Sequence, residues 1–354
     1  MAKKAYVGVN SVARKVKKLY VGVNGVARKV KKAYIGVAGV ARLFFQGSAD
    51  ISRYGTADNL TNAVESNMAA TVGNYALFAG GLMSSTYYSS VDTYNKSLTK
   101  GTATALSNTI AKGAGASIPS YAVIAAATYG GTKVTNAYNA SLTRSKPTSL
   151  TSTYDMGATE INGLALFAGG TSGKTVEYYN SSLTLAAASQ LTTSMSYAIA
   201  ATVGSHAVVY GTTGTAIEAY DSSLTHTTLT AVSTRHNGGA IARAGAYILV
   251  AGNATSVDVY NSSLTKLSNA TWSTKRMSMA ATTLADHAIF GGGNYTAPTL
   301  VEVFDESLTI TTPSPFALGR AYLAATTVGN YALFGGGADV NGNRCKNVDV
   351  YQAV

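Results

Sequence analysis

Short apolar runs closed by glycine recur along most of the chain and predict β-strands. Four of them are nearly alike: Tyr75-Ala-Leu-Phe-Ala-Gly-Gly, Leu164-Ala-Leu-Phe-Ala-Gly-Gly, His287-Ala-Ile-Phe-Gly-Gly-Gly and Tyr331-Ala-Leu-Phe-Gly-Gly-Gly. Three further copies begin at Tyr121, His206 and Tyr247. Apolar runs this short, bounded by glycine, are typical of buried strands and too short for ordinary helices.

A second motif, Ser-Leu-Thr, follows each of the first six runs and precedes the next run at a nearly constant interval. Its leucines lie 40 to 44 residues apart, at Leu98, Leu142, Leu183, Leu224, Leu264 and Leu308. An aromatic residue followed by Asn or Asp comes before each motif, as in Tyr94-Asn95, and a seventh aromatic, Tyr351, lies near the end of the chain. Seven copies of this length, with several short strands each, predict an all-β fold, a seven-bladed β-propeller.

The repeats resemble kelch repeats over roughly residues 48–354. The likeness rests on the double glycines and on Val257-Asp-Val-Tyr260, with the arginine that opens many kelch repeats matched at Arg235, Arg276 and Arg320. Copies four and five depart from the pattern, since each retains a single glycine, Gly211 or Gly252. The resemblance implies a divergent, kelch-like propeller.

The last repeat ends at Val354, before its fourth strand could form. Counting back from Tyr75 by the usual interval predicts that residues 52–62 supply this strand, with Leu60 in an apolar position. An N-terminal strand would then close the ring and remove its open edge.

Residues 1–47 form a separate repeat of 14 residues. Lys4-Ala-Tyr-Val-Gly-Val-Asn-Ser-Val-Ala-Arg-Lys returns from Lys18 and, in part, from Lys32. Asn24-Gly25 is a strong hairpin signal because both turn residues tolerate positive φ. The pattern predicts β-hairpins in which Val9 faces Val12 and Val7 faces Arg14, with one apolar and one basic face. A disordered basic tail is the alternative.

The net charge of +11 belongs entirely to this N-terminal segment. Eleven of the 27 Lys and Arg residues lie at or before Arg42, whereas the first acid is Asp50, so the remainder balances 16 cations against 16 acids. A neutral body argues against direct nucleic-acid binding. We expect the segment to be an anchoring arm that binds through Lys4, Tyr6, Arg14, Lys15, Lys18, Tyr20, Arg28, Lys29, Lys32, Tyr34 and Arg42.

The arm repeats resemble N-terminal segments of virion proteins from phages of Gram-positive bacteria. The resemblance implies a structural protein of a phage-like particle, a capsid decoration or tail component, docked on other virion proteins by its arm. Contacts between arms in a homo-oligomer are an alternative cover for the valine face. The expected location is the virion, or the cytoplasm before assembly. The chain has no signal-peptide pattern and no continuous apolar stretch long enough for a transmembrane helix.

Loops of variable length follow the glycines and are the predicted ligand-binding surface. Those of blades one and seven are longest, and closure makes them neighbours. Tyrosine and polar side chains there could bind a host-surface glycan or protein, which makes an adhesin the alternative function. Ordinary polar turns are the simpler interpretation. The candidates are Tyr87, Tyr88, Tyr295, Asp339, Asn341, Arg344 and Lys346.

Catalytic residues are not recognisable, so the sequence predicts no enzyme, no metal and no cofactor. His206 and His287 occupy a strand-start position that is tyrosine elsewhere, and His226 occupies a position expected to be exposed. Cys345 lies between two cations that would lower its pKa, although a chance surface thiol explains it better. The segment from Asp339 to Asn343 reads as an Asn-Gly turn more readily than as a calcium loop.

Overall fold

The computed structural model describes residues 6–9, 12–15, 19–23, 26–30, 32–37, 40–46, 49–171, 173–294 and 298–354. Residues 1–51 with 353–354 form one compact unit, and residues 52–352 form the other. All regular structure in these ranges is β-strand, which confirms the predicted all-β class. Nothing in the described part of the chain forms a helix of the length and apolarity that a bilayer crossing requires.

The N-terminal repeats form three two-stranded antiparallel hairpins. Val9 pairs with Val12 and Val7 with Arg14, which is the predicted register. The third hairpin contains a bulge between Ala33 and Tyr34. Lys4 and Lys18 lie outside the described residues, as do the side chains of the other anchoring candidates, so the basic face stays a prediction. The strands are β1 (Tyr6–Val9), β2 (Val12–Lys15), β3 (Leu19–Val23), β4 (Val26–Val30), β5 (Lys32–Val37) and β6 (Val40–Gln46).

The second unit contains seven four-stranded antiparallel sheets, and this confirms the seven-bladed propeller. The next strand, β7 (Ile51–Ala57), belongs to the last blade. Blades 1 to 3 contain β8 (Met68–Val72), β9 (Tyr75–Ala79), β10 (Leu82–Met83), β11 (Thr86–Tyr87), β12 (Val91–Asn95), β13 (Lys100–Thr102); β14 (Ala111–Ile118), β15 (Tyr121–Ala127), β16 (Lys133–Tyr138), β17 (Arg144–Ser145); and β18 (Met156–Ile161), β19 (Leu164–Gly169), β20 (Val176–Tyr179), β21 (Leu185–Ala187).

Blades 4 to 7 continue the same order, from an inner strand to an outer one. Their strands are β22 (Ala198–Val203), β23 (His206–Gly211), β24 (Ile217–Asp221), β25 (His226–Thr228); β26 (Ala240–Ala244), β27 (Tyr247–Ala251), β28 (Ser256–Asn261), β29 (Ala270–Thr271); β30 (Ala280–Leu284), β31 (His287–Gly291), β32 (Val301–Phe304), β33 (Ile310–Thr311); and β34 (Ala324–Val328), β35 (Tyr331–Gly335), β36 (Val348–Ala353).

The ring closes as predicted. β7 pairs beside β36 as the outer strand of blade 7, and the inner strands β34 and β8 contact each other. Leu60, beyond the end of β7, is buried between blades 7 and 1. β7 covers the edge of β36, which would otherwise be left open, and open edges are prone to aggregation.

The Ser-Leu-Thr motif is a turn between the third and fourth strands. In blade 1, Asn95 Oδ1 accepts hydrogen bonds from the backbone N–H groups of Ser97 and Thr99, and Leu98 lies between them at φ 61°. All six motif leucines have φ of 60–63° and pack, half-buried, against the interblade core. Their burial offsets the cost of a left-handed backbone, about 1–2 kcal/mol for a residue with a Cβ.

The aromatic residue before each turn is buried and ties its blade to the preceding one. Tyr94 donates to Asp58 O at 2.6 Å, and Tyr260 donates to Thr230 O at the same distance. Tyr138, Tyr179, Tyr220 and Tyr351 make equivalent bonds, whereas Phe304 has no hydroxyl. Burial raises the pKa of all six tyrosines.

A buried polar residue two positions before each aromatic was not anticipated. Six of the seven are acids, and each accepts backbone N–H bonds from the connection that precedes its blade; the set is Asp92, Asn136, Glu177, Glu218, Asp258, Glu302 and Asp349. Arg276 pairs with Glu302 and Arg320 with Asp349, all four side chains being almost fully buried. The kelch-type match at Arg235 is wrong: Arg235 is exposed, and His236 occupies this position and contacts Asp258 at 2.8 Å.

Candidate functional site

The two faces of the propeller carry different chain segments. Tyr75 pairs with Asn95 at one end of blade 1, where the Ser-Leu-Thr turns lie, so we call this end the turn face. Ala79 pairs with Val91 at the opposite end. The glycine-closed loops and the connections between blades lie there, and we call it the loop face. The loops that vary in length therefore all lie on the loop face.

Exposed apolar side chains are more frequent on the loop face than elsewhere. Among the described residues that follow the arm, six of the eight large ones lie there: Met83, Tyr129, Tyr197, Leu318, Tyr322 and Val340. The other two are Tyr54, on the outer strand of blade 7, and Val354, the last residue. Individual exposed apolar residues are ordinary, and what distinguishes these six is that they share one face.

A left-handed residue lies at or just before the start of the inner strand of every blade on the loop face. The seven positions have φ between 49° and 57° and are Ser66, Lys112, Asp155, Tyr197, Gly238, Ser278 and Tyr322. Backbone bonds run between several of them, including Ser66 N–H to Tyr322 O (2.9 Å) and Tyr322 N–H to Ser278 O (2.7 Å). This backbone ring fixes where their side chains start, while the residue type varies freely between blades.

A cleft of about 650 Å³ lies on the loop face where blades 6, 7 and 1 meet. Small residues, including Ala321 and Ala338, line it and pair with each other through their backbones. Arg344 donates to Glu65 Oε1 at 2.6 Å across the junction of blades 7 and 1. The remaining lining residues are Gly293, Asn294, Pro298, Tyr322, Asp339, Val340 and Gly342.

The Asp339 carboxylate at this cleft is held by its own loop. Oδ1 accepts the N–H groups of Asn341 (2.9 Å) and Asn343 (2.8 Å), while Oδ2 accepts the Asn343 amide. Gly342 takes the left-handed position, with φ 80°. The hydrogen bonds from Asn343 lower the pKa of Asp339. The loop is thus the predicted Asn-Gly turn, built like the Ser-Leu-Thr turns.

A tyrosine cluster lies on another part of the loop face. The extra hairpin of β10 and β11 places Tyr87 edge-on to Tyr129, with ring centroids 5.8 Å apart. Tyr154 donates to Thr128 O at 2.7 Å. Burial raises the pKa of Asp155, which lies beside these rings, although the positive charge of the nearby Lys112 opposes the rise. The cluster is a second exposed aromatic surface, formed by blades 1 to 3.

The structure brings together only some of the predicted ligand-binding residues. Asp339 and Arg344 share the cleft, whereas Tyr87 belongs to the separate tyrosine cluster and Tyr88 packs against the core of blades 7 and 1. Asn341 and Lys346 are exposed, and both contribute backbone bonds to the fold. Tyr295 lies outside the described residues.

Two important residues of the cleft escaped the sequence analysis. Glu65 lies in the segment that links the closing strand to blade 1, where no repeat position suggested a function. Tyr322 lies 14 residues after Leu308, as Tyr197 lies 14 after Leu183, so aligning the connections would have revealed both exposed tyrosines. Tyr129 was likewise missed, because blade 2 has a loop of ordinary length.

Cys345 and His226, which the sequence analysis considered as reactive or exposed groups, contact the scaffold of the propeller. Cys345 is buried, which corrects its interpretation as a surface thiol, and burial raises its pKa despite the opposing effect of Arg320. His226 is not exposed but contacts Glu218 Oε2. Burial would raise the pKa of Glu218, but hydrogen bonds from Thr192, His226 and Thr193 lower it. The described residues include no group of three or more metal-ligating acidic, His or Cys side chains.

Known proteins resemble this chain in fold. No protein family and no curated protein matches its sequence. Among solved structures, a streptogramin B lyase has a TM-score of 0.61 at 11% identity, covering 86% of this chain and 98% of its own. Virginiamycin B lyase from Staphylococcus aureus has a TM-score of 0.61 at 12% identity, covering 86% and 100%. YjhT has a TM-score of 0.52 at 13% identity, covering 82% and 95%.

The lyases overturn one sequence-based expectation. We expected no enzyme, and that expectation is wrong, because two neighbours of the same architecture are named as lyases. Identities of 11–13% show the fold alone, so the chemistry of those proteins remains theirs. The kelch and virion resemblances stay predictions, and the second unit of the chain is a seven-bladed β-propeller.

Proposed function

We propose that the protein is a recognition propeller carried on a basic attachment arm. The observation that carries the proposal is the concentration of exposed apolar side chains on the loop face, which also contains a cleft shared by three blades. Surfaces of this kind bind other molecules, since burying exposed apolar groups is favourable. The proposed ligand is a component of a host cell surface.

The arm supplies the second part of the proposal. Its eleven cations and absence of acids suit docking on an acidic surface of a larger particle, such as the capsid or tail of a phage. Its hairpin strands add a means of pairing with strands of a partner. The arm would then attach the protein, and the propeller would present its loop face to the ligand.

Binding to cells tests the recognition proposal. Fluorescently labelled full-length protein is incubated with Gram-positive cells, and bound fluorescence is measured by flow cytometry. Tyr197→Glu and Tyr322→Glu place charges on the loop face, whereas Ser141→Glu places the same charge on an exposed residue of the turn face. We expect the two loop-face variants to lower binding and Ser141→Glu to leave it unchanged. Equal binding by all four proteins would contradict the proposal.

A further inference from the structure

We infer that the cleft between blades 6, 7 and 1 is a binding site for a short, neutral oligosaccharide. The inference rests on the proposed recognition function and adds the position of the site and the chemistry of its ligand. The cleft volume of about 650 Å³ falls within the range of ordinary small-molecule sites.

Tyr322 supplies an aromatic surface in a fixed position. Its side chain is 48% exposed, yet its backbone is bonded on both sides, to Ser278 O and from Ser66 N–H. Every blade has the same left-handed backbone at this position, so the scaffold itself fixes where the Tyr322 side chain begins. A pyranose ring has an apolar C–H face that stacks on an aromatic ring, and a preset tyrosine loses little entropy in doing so.

Arg344 and Glu65 supply hydrogen-bonding groups suited to hydroxyls. The guanidinium donates to Glu65 Oε1 at 2.6 Å and to Gly342 O at 2.6 Å, which fixes its plane. Neighbouring sugar hydroxyls both donate and accept, so a carboxylate beside a guanidinium can serve two of them at once. The backbone of Glu65 is anchored by two bonds of 3.0 Å to Leu82, and the pair is therefore rigid.

The charges of the cleft favour a neutral ligand over an acidic one. Arg344 is its one cation among the described residues, and it faces two carboxylates, Glu65 and Asp339. Because Arg344 is already paired with Glu65, an anionic sugar would meet no unpaired positive charge and would be repelled by Asp339. A neutral sugar is not repelled by Asp339 and needs no unpaired positive charge.

An array of neutral and acidic oligosaccharides tests the inference with the full-length protein. We expect binding to neutral members, at least tenfold weaker for Tyr322→Ala and for Arg344→Gln, and nearly unchanged for Tyr322→Phe, which keeps the ring. Lys112→Ala is the matched control and should leave sugar binding unchanged, because Lys112 has the same repeat position and left-handed backbone but lies outside the cleft. Tyr322→Gly removes the ring while suiting the left-handed backbone, so its loss of binding cannot come from added backbone strain.

The outcomes separate the inference from the proposed function. Sugar binding that survives both cleft substitutions would overturn the cleft site while supporting recognition elsewhere on the loop face. Preference for acidic sugars would overturn the charge argument and with it the inference. An array without binding would overturn the oligosaccharide inference, whereas cell binding sensitive to Tyr322→Glu would still support recognition, then of a protein.

Discussion

The buried ion pair between Arg276 and Glu302 leads to a prediction for which blade 2 of the same chain provides the comparison. Their side chains are 0% and 1% exposed and meet at 2.8 Å. Blade 2 has Ile110 and Asn136 at the corresponding positions, both fully buried and both neutral. Replacing Arg276 by Ile leaves a buried carboxylate without its cation, whereas adding Glu302→Asn recreates the combination that blade 2 already tolerates.

The expected cost of Arg276→Ile is about 3–5 kcal/mol, as for other buried pairs that lose one partner. Part of it comes from Gly292 O and Leu300 O, which accept from Arg276 at 2.9 and 2.8 Å and would lose their donor. The guanidinium also lies 4.7 Å from the centre of the Trp272 ring. The double substitution removes the stranded charge, so we expect a favourable coupling of about 2 kcal/mol between the two changes.

Urea unfolding of the wild type, both single variants and the double variant measures this coupling. Trp272, the one tryptophan of the chain, reports by fluorescence, and far-ultraviolet circular dichroism provides a second signal independent of the Arg276 contact. The double variant should be more stable than the two single effects added together. Strict additivity of the two single effects would refute the reasoning, because it would mean that Arg276 does not stabilise the buried Glu302 carboxylate.

Three further predictions concern the scaffold. Asp258 and Glu218 have lowered pKa values in the folded state, so their stabilising contribution is present at neutral pH and is lost as pH falls through the acid range. The melting temperature should therefore be lower at pH 3 than at pH 7, and Asp258→Asn should reduce the difference. Tyr260→Phe removes the bond to Thr230 O and should cost about 1 kcal/mol in urea unfolding, a value that an unchanged midpoint would contradict. Cys345 should react with a thiol reagent far more slowly in native protein than in urea, since it is buried with a raised pKa; equal rates would show an open loop.

The fold was predictable because its information is local and repeated. Each blade is recognisable in the sequence by an apolar run that ends in glycine, usually followed by the turn at the motif leucine. Seven such copies at a nearly constant interval are compatible with few architectures. Even the closing strand followed from counting, since Leu60 fills the position that Leu106 fills in the next blade. Individual repeat positions were harder, and one residue of error assigned Arg235 where His236 belongs.

The candidate site was less predictable because it depends on which blades become neighbours. Glu65 and Arg344 are 279 residues apart in sequence and meet only because the ring closes. Tyr87 and Arg344, from loops that were expected to act together, lie in different parts of the loop face. Loop length pointed to the loop face, but the partner of each side chain is fixed by the packing of adjacent blades.

The buried carboxylates show how the blades of this chain differ in sequence while keeping one architecture. Two residues after the motif leucine, Lys100 pairs with Asp92 and His226 contacts Glu218. Glu302 pairs with Arg276 from the preceding connection, and Asp349 has both Arg320 and Arg53. Because either position can compensate the charge, neither residue type must be retained in every blade. The left-handed ring behaves differently: its backbone is fixed while its side chains vary, as at Tyr197 and Tyr322. Substitutions at that ring can therefore alter the loop face without disturbing the scaffold, and this is where ligand preference would change first.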